Sequence, residues 1–203
     1  AGLAAPTVGN VGDPIVRAAV EGQADVLAVE LSSFQLHSTH SVEPLASACL
    51  NLAPDHLDWH GGAEGYRNDK ARVYERTERA CIYNTADEVT RGMVKDAEVQ
   101  EGARAIGIRL GPPRLSELGL VDGVLADRAF VADRHHQAAE LATLADLEHL
   151  APRRGGGVPS HVVSNALFAA ALARAYGVEP VAVRDGLRAF PSGEHRIELV
   201  TSV

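Results

Sequence analysis

Residues 25–31 read Asp25-Val26-Leu27-Ala28-Val29-Glu30-Leu31, an apolar run that ends in an acid. This is the profile of a central parallel strand, covered on both faces, whose carboxyl end opens onto a site. Upstream, Asp13 is placed to cap a helix with Pro14 in its first turn, and Gly22 to stop it. Downstream, residues 45–52 form a second apolar run, residues 63–79 a charged amphipathic helix, and residues 80–83 a third strand. Strand, helix and strand at short spacing predict an α/β fold with a mostly parallel, doubly wound sheet. From Gly102 onward the pattern changes, as Gly107, Gly111, Pro112, Pro113, Gly119 and Gly123 punctuate short β-like pieces. Residues 104–109, 119–126 and 128–132 read as strands, so 102–132 is expected to be a small antiparallel sheet appended to the parallel one. Residues 133–157 then read as a polar, flexible loop ending in a Gly run. A long Ala-rich helix follows over 160–176 with Gly177 as its stop, then a helix over 180–190 and a strand over 196–200.

The chain has 203 residues, 46% hydrophobic and 23% charged, enough to bury one ordinary core. A net charge of -8 with scattered Lys and Arg argues against a protein that coats nucleic acid. No apolar run approaches the roughly 20 residues that span a bilayer, and the N-terminus lacks the pattern of a signal peptide. Cys49 and Cys81 both sit in apolar runs and read as core thiols rather than a disulfide framework, which makes a cytoplasmic protein the expectation. The 19 basic residues include only two lysines, Lys70 and Lys95. Where a positive charge suffices this chain uses Arg, so each Lys calls for a reason.

Several segments carry chemistry. Glu30 with Ser32 and Ser33 ends its strand, and a buried acid needs a cation or a hydrogen-bond network. A hard divalent metal would serve; an acid emerging into solvent is the alternative, and the segment alone does not separate them. His56, flanked by Asp55 and Asp58, follows the next strand and offers an imidazole to the same end of the sheet. His56 and His60 are four apart, but Leu57 stands where a zinc protease needs Glu. Lys70 lies on the following helix. Arginine cannot replace a lysine that must become neutral, and a neutral amine takes up carbon dioxide to form a carbamate, an oxygen ligand suited to magnesium. Taken alone, His56 also reads as a solvated turn and Lys70 as a surface residue. Asn10, in Val8-Gly9-Asn10-Val11-Gly12, offers an amide beside glycines that permit close backbone approach. Asn165 lies on the long helix and Arg196 opens the last strand, where an arginine can reach a phosphate.

Read together, these segments resemble the Mur ligases, and within them the branch that adds D-glutamate. The resemblance runs over nearly the whole chain, through ELSSFQL at 30–36, NLAPDHLDW at 51–59, YRNDKARVY at 66–74, the Asn84 turn, Asn165-Ala166-Leu167 and His195-Arg196. It implies an ATP-dependent amide ligation through an acyl phosphate, with UDP-N-acetylmuramoyl-L-alanine, D-glutamate and ATP as substrates and Mg2+ as cofactor. It also implies Glu30, His56 and a carbamylated Lys70 around the metal, with Lys70 and His56 catalytic. Asn10, Ser32, Gln35 and His56 would face the muramoyl substrate, and Asn165 and Arg196 the nucleotide. Two departures stand out. Pro159-Ser160-His161-Val162 replaces the family's Gly-x-His-Asn, and no Gly-x-x-x-x-Gly-Lys-Ser/Thr phosphate loop occurs in the 203 residues. The chain is therefore expected to be a central domain truncated at its N-terminal side, lacking the uridine-binding and amino-acid-binding domains and inactive alone. The parent is expected to be monomeric, and a sheet missing a central strand to self-associate through its open edge. A sister ligase adding another amino acid, and a binding module that has lost its phosphate loop, are the rival readings.

Overall fold

The computed structural model describes residues 2–151 and 157–191. Six strands form one sheet in sequence order: β3 (Ala46–Cys49), β4 (Ala80–Asn84), β5 (Arg104–Arg109), β6 (Glu117–Val121), β7 (Val124–Asp127) and β8 (Ala139–Thr143). β3 to β6 are parallel, and β6, β7 and β8 pair antiparallel. A separate two-stranded sheet pairs β1 (Thr7–Gly9) with β2 (Ala28–Glu30) in parallel.

Side chains alternate across a strand, and β4 shows how that builds a double-sided core. Ala80 and Ile82 point into a large cluster with Ile106, Ile108, Leu118, Leu167 and Phe168. Cys81, between them, joins Cys49, Tyr74 and Met93 on the opposite face. The first face is covered by α6 (Ser160–Tyr176), followed by α7 (Pro180–Ala189). The second is covered by α5 (Glu88–Asp96), capped by Asp87 through Val89 and Thr90 N–H. Helices on both faces are the expected doubly wound arrangement. Both cysteines are free and buried in these clusters, as their apolar surroundings predicted.

Several expectations are corrected. The antiparallel strands continue the edge of the parallel sheet, and residues 104–109 belong to its parallel part. Residues 119–126 are a hairpin broken at Asp122 and Gly123, both at positive φ. Residues 128–132 are not a strand, because Asp127 Oδ1 accepts from Ala129 N–H at 2.7 Å and Phe130 N–H at 2.9 Å and turns the chain. The expected loop over 133–157 contains β8 and a 3-10 turn, Leu144–Leu150, capped reciprocally by Thr143 and Asp146. The helix expected over 63–79 is α4 (Ala63–Ala71) plus a 3-10 turn, Arg72–Tyr74. It ends there because Tyr74 turns inward, where its hydroxyl accepts from Cys49 N–H and donates to the Ile82 carbonyl. α1 (Ile15–Glu21) starts at Pro14 with no side-chain cap, so Asp13 does not cap it; its carbonyl accepts from Gly9 N–H instead. The expected strand over 196–200, Arg196 itself and residues 153–156 of the Arg-Gly run lie outside the described residues.

An ion pair fastens β5 to β6. Glu117 accepts from Arg109 Nε at 2.7 Å and Nη2 at 3.2 Å, and from Arg114 N–H at 2.9 Å. Burial pushes the carboxyl up, but the Arg109 and Arg114 donors outweigh it and hold it below its ordinary 4.5. A carboxylate with a depressed folded value stabilises above the ordinary value and loses that contribution as pH falls through the folded one. Glu117→Gln is therefore expected to cost about 1–2 kcal/mol at neutral pH. In urea unfolding at a series of pH values, its difference from the native chain should shrink below pH 4.5.

Candidate active site

The carboxyl ends of β2 and β3 lead into three short helices that carry most of the chemical residues. α2 (Ser33–His37) follows Glu30, α3 (Leu57–His60) follows β3, and α4 carries Lys70 in its last turn. Ser32 starts α2 with a reciprocal cap: its Oγ accepts from Gln35 N–H at 3.3 Å, and Gln35 Oε1 accepts from Ser32 N–H at 2.9 Å. The Ser32 hydroxyl also donates to Gln35 Oε1 at 3.0 Å. The side chains of Ser32 and Gln35, expected to face substrate, are thus turned onto each other.

His56 is the N-cap of α3 and lies in the left-handed region, with φ 49°. That conformation is uncommon outside glycine and clusters at functional sites. Its backbone N–H donates to Asp55 Oδ1 at 2.9 Å, its Nε2 lies 3.3 Å from Asp55 Oδ2, and the imidazole faces solvent. Phe34 of α2 meets the His56 ring at 5.1 Å between centroids and Trp59 edge-on at 4.7 Å. This aromatic contact draws the segment after Glu30 onto the loop after β3.

Behind these residues lies a buried polar network that crosses all three helices. His60 Nδ1 is 2.6 Å from Asp69 Oδ2, and its Nε2 is 3.0 Å from Ser33 Oγ. His37 Nδ1 reaches the other oxygen, Asp69 Oδ1, at 2.9 Å, with Arg72 Nε 3.9 Å away. An ionised carboxylate only accepts, so both rings donate from Nδ1, and a neutral His60 then accepts the Ser33 hydroxyl at Nε2. Burial pushes Asp69 up, but the hydrogen bonds from His60 and His37 outweigh it and hold the carboxyl below its usual range. Gly65 makes the approach of α3 to α4 possible, since a Cβ there would collide with the His60 carbonyl.

Sequence reading did not anticipate this network. His60 stood out only as a failed zinc-protease partner, and Asp69 only as a neighbour of Lys70. Their pairing, and its extension to Ser33 and His37 some thirty residues upstream, runs through short helices that leave no periodic signal. Lys70 is half-buried, and its charge bears on Cys49 at the end of β3: burial raises the thiol most, and Lys70 opposes it. Glu30 corrects an expectation. β2 is exposed along its three residues and pairs only with β1 among the described residues, so the acid is not buried. Gly9, at φ 115°, lets β1 pass close to the Glu30 backbone. Asn10 follows it, with Nδ2 3.5 Å from Glu30 Oε1 and its N–H donating to the Glu30 carbonyl at 2.8 Å. Asn165 is exposed on the second turn of α6, which lies across β3, β4 and β5. Val162, where the family places an amide, is half-buried in the first turn of that helix.

Of the expected ligands, Glu30 offers a solvent-facing carboxylate, in no ion pair among the described residues and of the donor type that a hard divalent ion takes, and His56 offers a solvent-facing imidazole, a donor commoner on softer transition metals. Among the described residues no three His, Cys, Asp or Glu side chains group to hold a metal.

Residues 13–173 match the Mur ligase middle domain. The chain belongs to the Mur ligase family. It is 52% identical over 204 residues to the UDP-N-acetylmuramoylalanine--D-glutamate ligase of Streptomyces coelicolor, covering 100% of this chain and 42% of that protein. The enzyme of the same name from Leifsonia xyli is 54% identical over 198 residues, 95% of this chain and 37% of its own length. That of Thermobifida fusca is 50% identical over 205 residues, again 100% of this chain and 42% of the relative. This Mur ligase chain thus spans about two fifths of the length of the curated relatives it matches. No helix among its described residues is long and apolar enough to cross a membrane.

Proposed function

We propose that this chain is the ATP-side middle domain of a cytoplasmic ligase that joins D-glutamate to UDP-N-acetylmuramoyl-L-alanine in peptidoglycan precursor synthesis. The observation that carries the reading is the joining of three segments. Residues 30–36 stack on His56 through Phe34, and are tied through Ser33 and His60 to Asp69, beside Lys70. The names of the relatives, all D-glutamate ligases, favour this substrate over those of a sister ligase.

In the proposed reaction the substrate carboxylate takes the γ-phosphoryl group of ATP, and the amine of D-glutamate displaces phosphate through a tetrahedral intermediate. Such transfers depend mainly on positioning and charge stabilisation. Glu30, His56 and a carbamylated Lys70 would hold Mg2+, which when bound neutralises charge on the transferring phosphoryl group. The carbamate forms when the neutral Lys70 Nζ adds carbon dioxide and releases a proton. His56 projects from the loop after β3, where it can orient the reacting end of the muramoyl substrate. Asn10 and the Ser32–Gln35 pair contribute amide and hydroxyl groups to the same substrate, the pair after opening its mutual cap. Asn165 and Arg196 contact the nucleotide.

The test uses a full-length ligase carrying this domain. Phosphate release from ATP should require both UDP-N-acetylmuramoyl-L-alanine and D-glutamate, and residues 1–203 alone should release none. Equal release with a different amino acid would move the assignment to a sister ligase.

A further inference from the structure

The side chains of the Ser33–His60–Asp69 network hydrogen-bond to none of the side chains proposed to meet substrate, yet each of its members sits next to one of those residues. Ser33 follows Ser32 on the substrate-facing segment. His60 lies one helical turn beyond His56, on the four-residue α3 that His56 begins. Asp69 immediately precedes Lys70. We propose that His60 and Asp69 are positioning residues, a polar clamp that sets His56, Lys70 and the Ser32–Gln35 segment relative to one another; this rests on the ligase reading above.

The physical case begins with shortness. α2 and α3 have five and four residues, too few to hold their own geometry in water. Their placement must come from tertiary contacts, and the strongest polar ones converge on His60 and Asp69. His60 is 9% exposed, Asp69 6% and Ser33 5%, so these hydrogen bonds are shielded from water. Each Asp69 oxygen takes a different histidine: His60 from α3 and His37 from the end of α2. His60 in turn spans α4 and α2 through its two ring nitrogens. Its ring is also packed, 4.6 Å from Trp59 and 5.2 Å from Tyr66 between centroids, which fixes its plane. A Ser–His–Asp order also invites a comparison with a nucleophile and its base. Burial of Ser33 at the start of α2 argues against that role, since a substrate carbonyl has no access to its Oγ.

The experiment uses the full-length ligase and the variants His60→Ala, His60→Asn, Asp69→Ala and Asp69→Asn, with Lys70→Ala as reference. Asparagine can imitate the Nδ1–H donor of histidine, so His60→Asn keeps the bond to Asp69. His60→Ala and Asp69→Ala are expected to lower kcat about 10–100-fold with the KM for ATP little changed, and to weaken Mn2+ binding with a non-hydrolysable ATP analogue by a similar factor. His60→Asn should recover most of the loss, and Asp69→Asn, which keeps one accepting oxygen, should fall between. If the alanine variants do not fold, the two asparagine variants carry the same comparison. Reduced thermal stability with kcat and Mn2+ affinity unchanged would overturn the clamp, leaving His60 and Asp69 as structural residues. If Lys70→Ala turns over normally, Lys70 has no part in the reaction and a clamp that sets it is overturned; failure of the ligase reading is a different outcome, the absence of phosphate release by the native enzyme with both substrates present.

Discussion

Lys70→Ala, in a full-length ligase carrying this domain, is expected to lower turnover about 10²–10³-fold, the usual loss when one preorganised group that stabilises developing charge is removed. Lys70→Arg should not restore it. Arginine keeps the positive charge but cannot become a neutral amine, and so cannot add carbon dioxide. The distinction matters because the chain uses arginine elsewhere: of its 19 basic residues only Lys70 and Lys95 are lysine. Lys95 lies in the last turn of α5 and serves as an internal control, since Lys95→Arg should leave turnover unchanged. Steady-state phosphate release with saturating substrates reads all three variants. Activity in Lys70→Arg comparable to the native enzyme would remove the carbamate from the account.

The largest stability effect is expected at Asp127, far from this chemistry. Arg174 Nε lies 3.0 Å from Asp127 Oδ2, with side-chain exposures of 9% and 0%. The other carboxylate oxygen holds the turn after β7 through Ala129 and Phe130 N–H. Arg174 also donates to the Val178 carbonyl at 2.6 Å, so the pair ties the end of α6 to the antiparallel edge of the sheet. Asp127→Ala leaves a buried guanidinium uncompensated and two turn amides unpaired, an expected loss of about 3–5 kcal/mol. Urea unfolding should reveal it as a shift of midpoint at constant slope, and thermal unfolding as a fall of about 10 °C. A change below about 1 kcal/mol would mean that water replaces the carboxylate there.

Much of the fold was legible because its long elements repeat their signal. The Ala-rich run at 160–176 is α6 to the residue, and 104–109 is β5 to the residue. Residues 80–83 extend by one to make β4. The shortest helices and one strand were not legible. α2 and α3 are shorter than two helical turns, so no periodicity announces them, and β8 is hidden between polar residues that read as loop. The stretch at 25–31 misleads in the opposite direction. Its apolar run suggests burial, but β2 keeps only three residues, pairs with β1 alone among the described residues, and leaves Glu30 in solvent.

The candidate site divides along the same line. His56 and Lys70 could be picked out because their types are unusual in their surroundings, a histidine between acids and a lysine in an arginine-rich chain. The joining of Ser33, His60 and Asp69 could not, because it is a contact between separate short helices, with Ser33 far upstream of the other two in sequence. Gly65 belongs with them: its lack of a side chain is explained only when the His60 carbonyl is seen against it.

The central claim is that Glu30, His56 and Lys70 serve one metal site. The most direct test is a crystal structure of the full-length ligase grown with bicarbonate, Mn2+ and a non-hydrolysable ATP analogue, with anomalous scattering to locate the metal. The account predicts a manganese peak bound by Glu30 and His56, and added density for a carbamate on Lys70 Nζ facing them. A bare Lys70 pointing to solvent, with the manganese elsewhere and Glu30 and His56 apart, would contradict it.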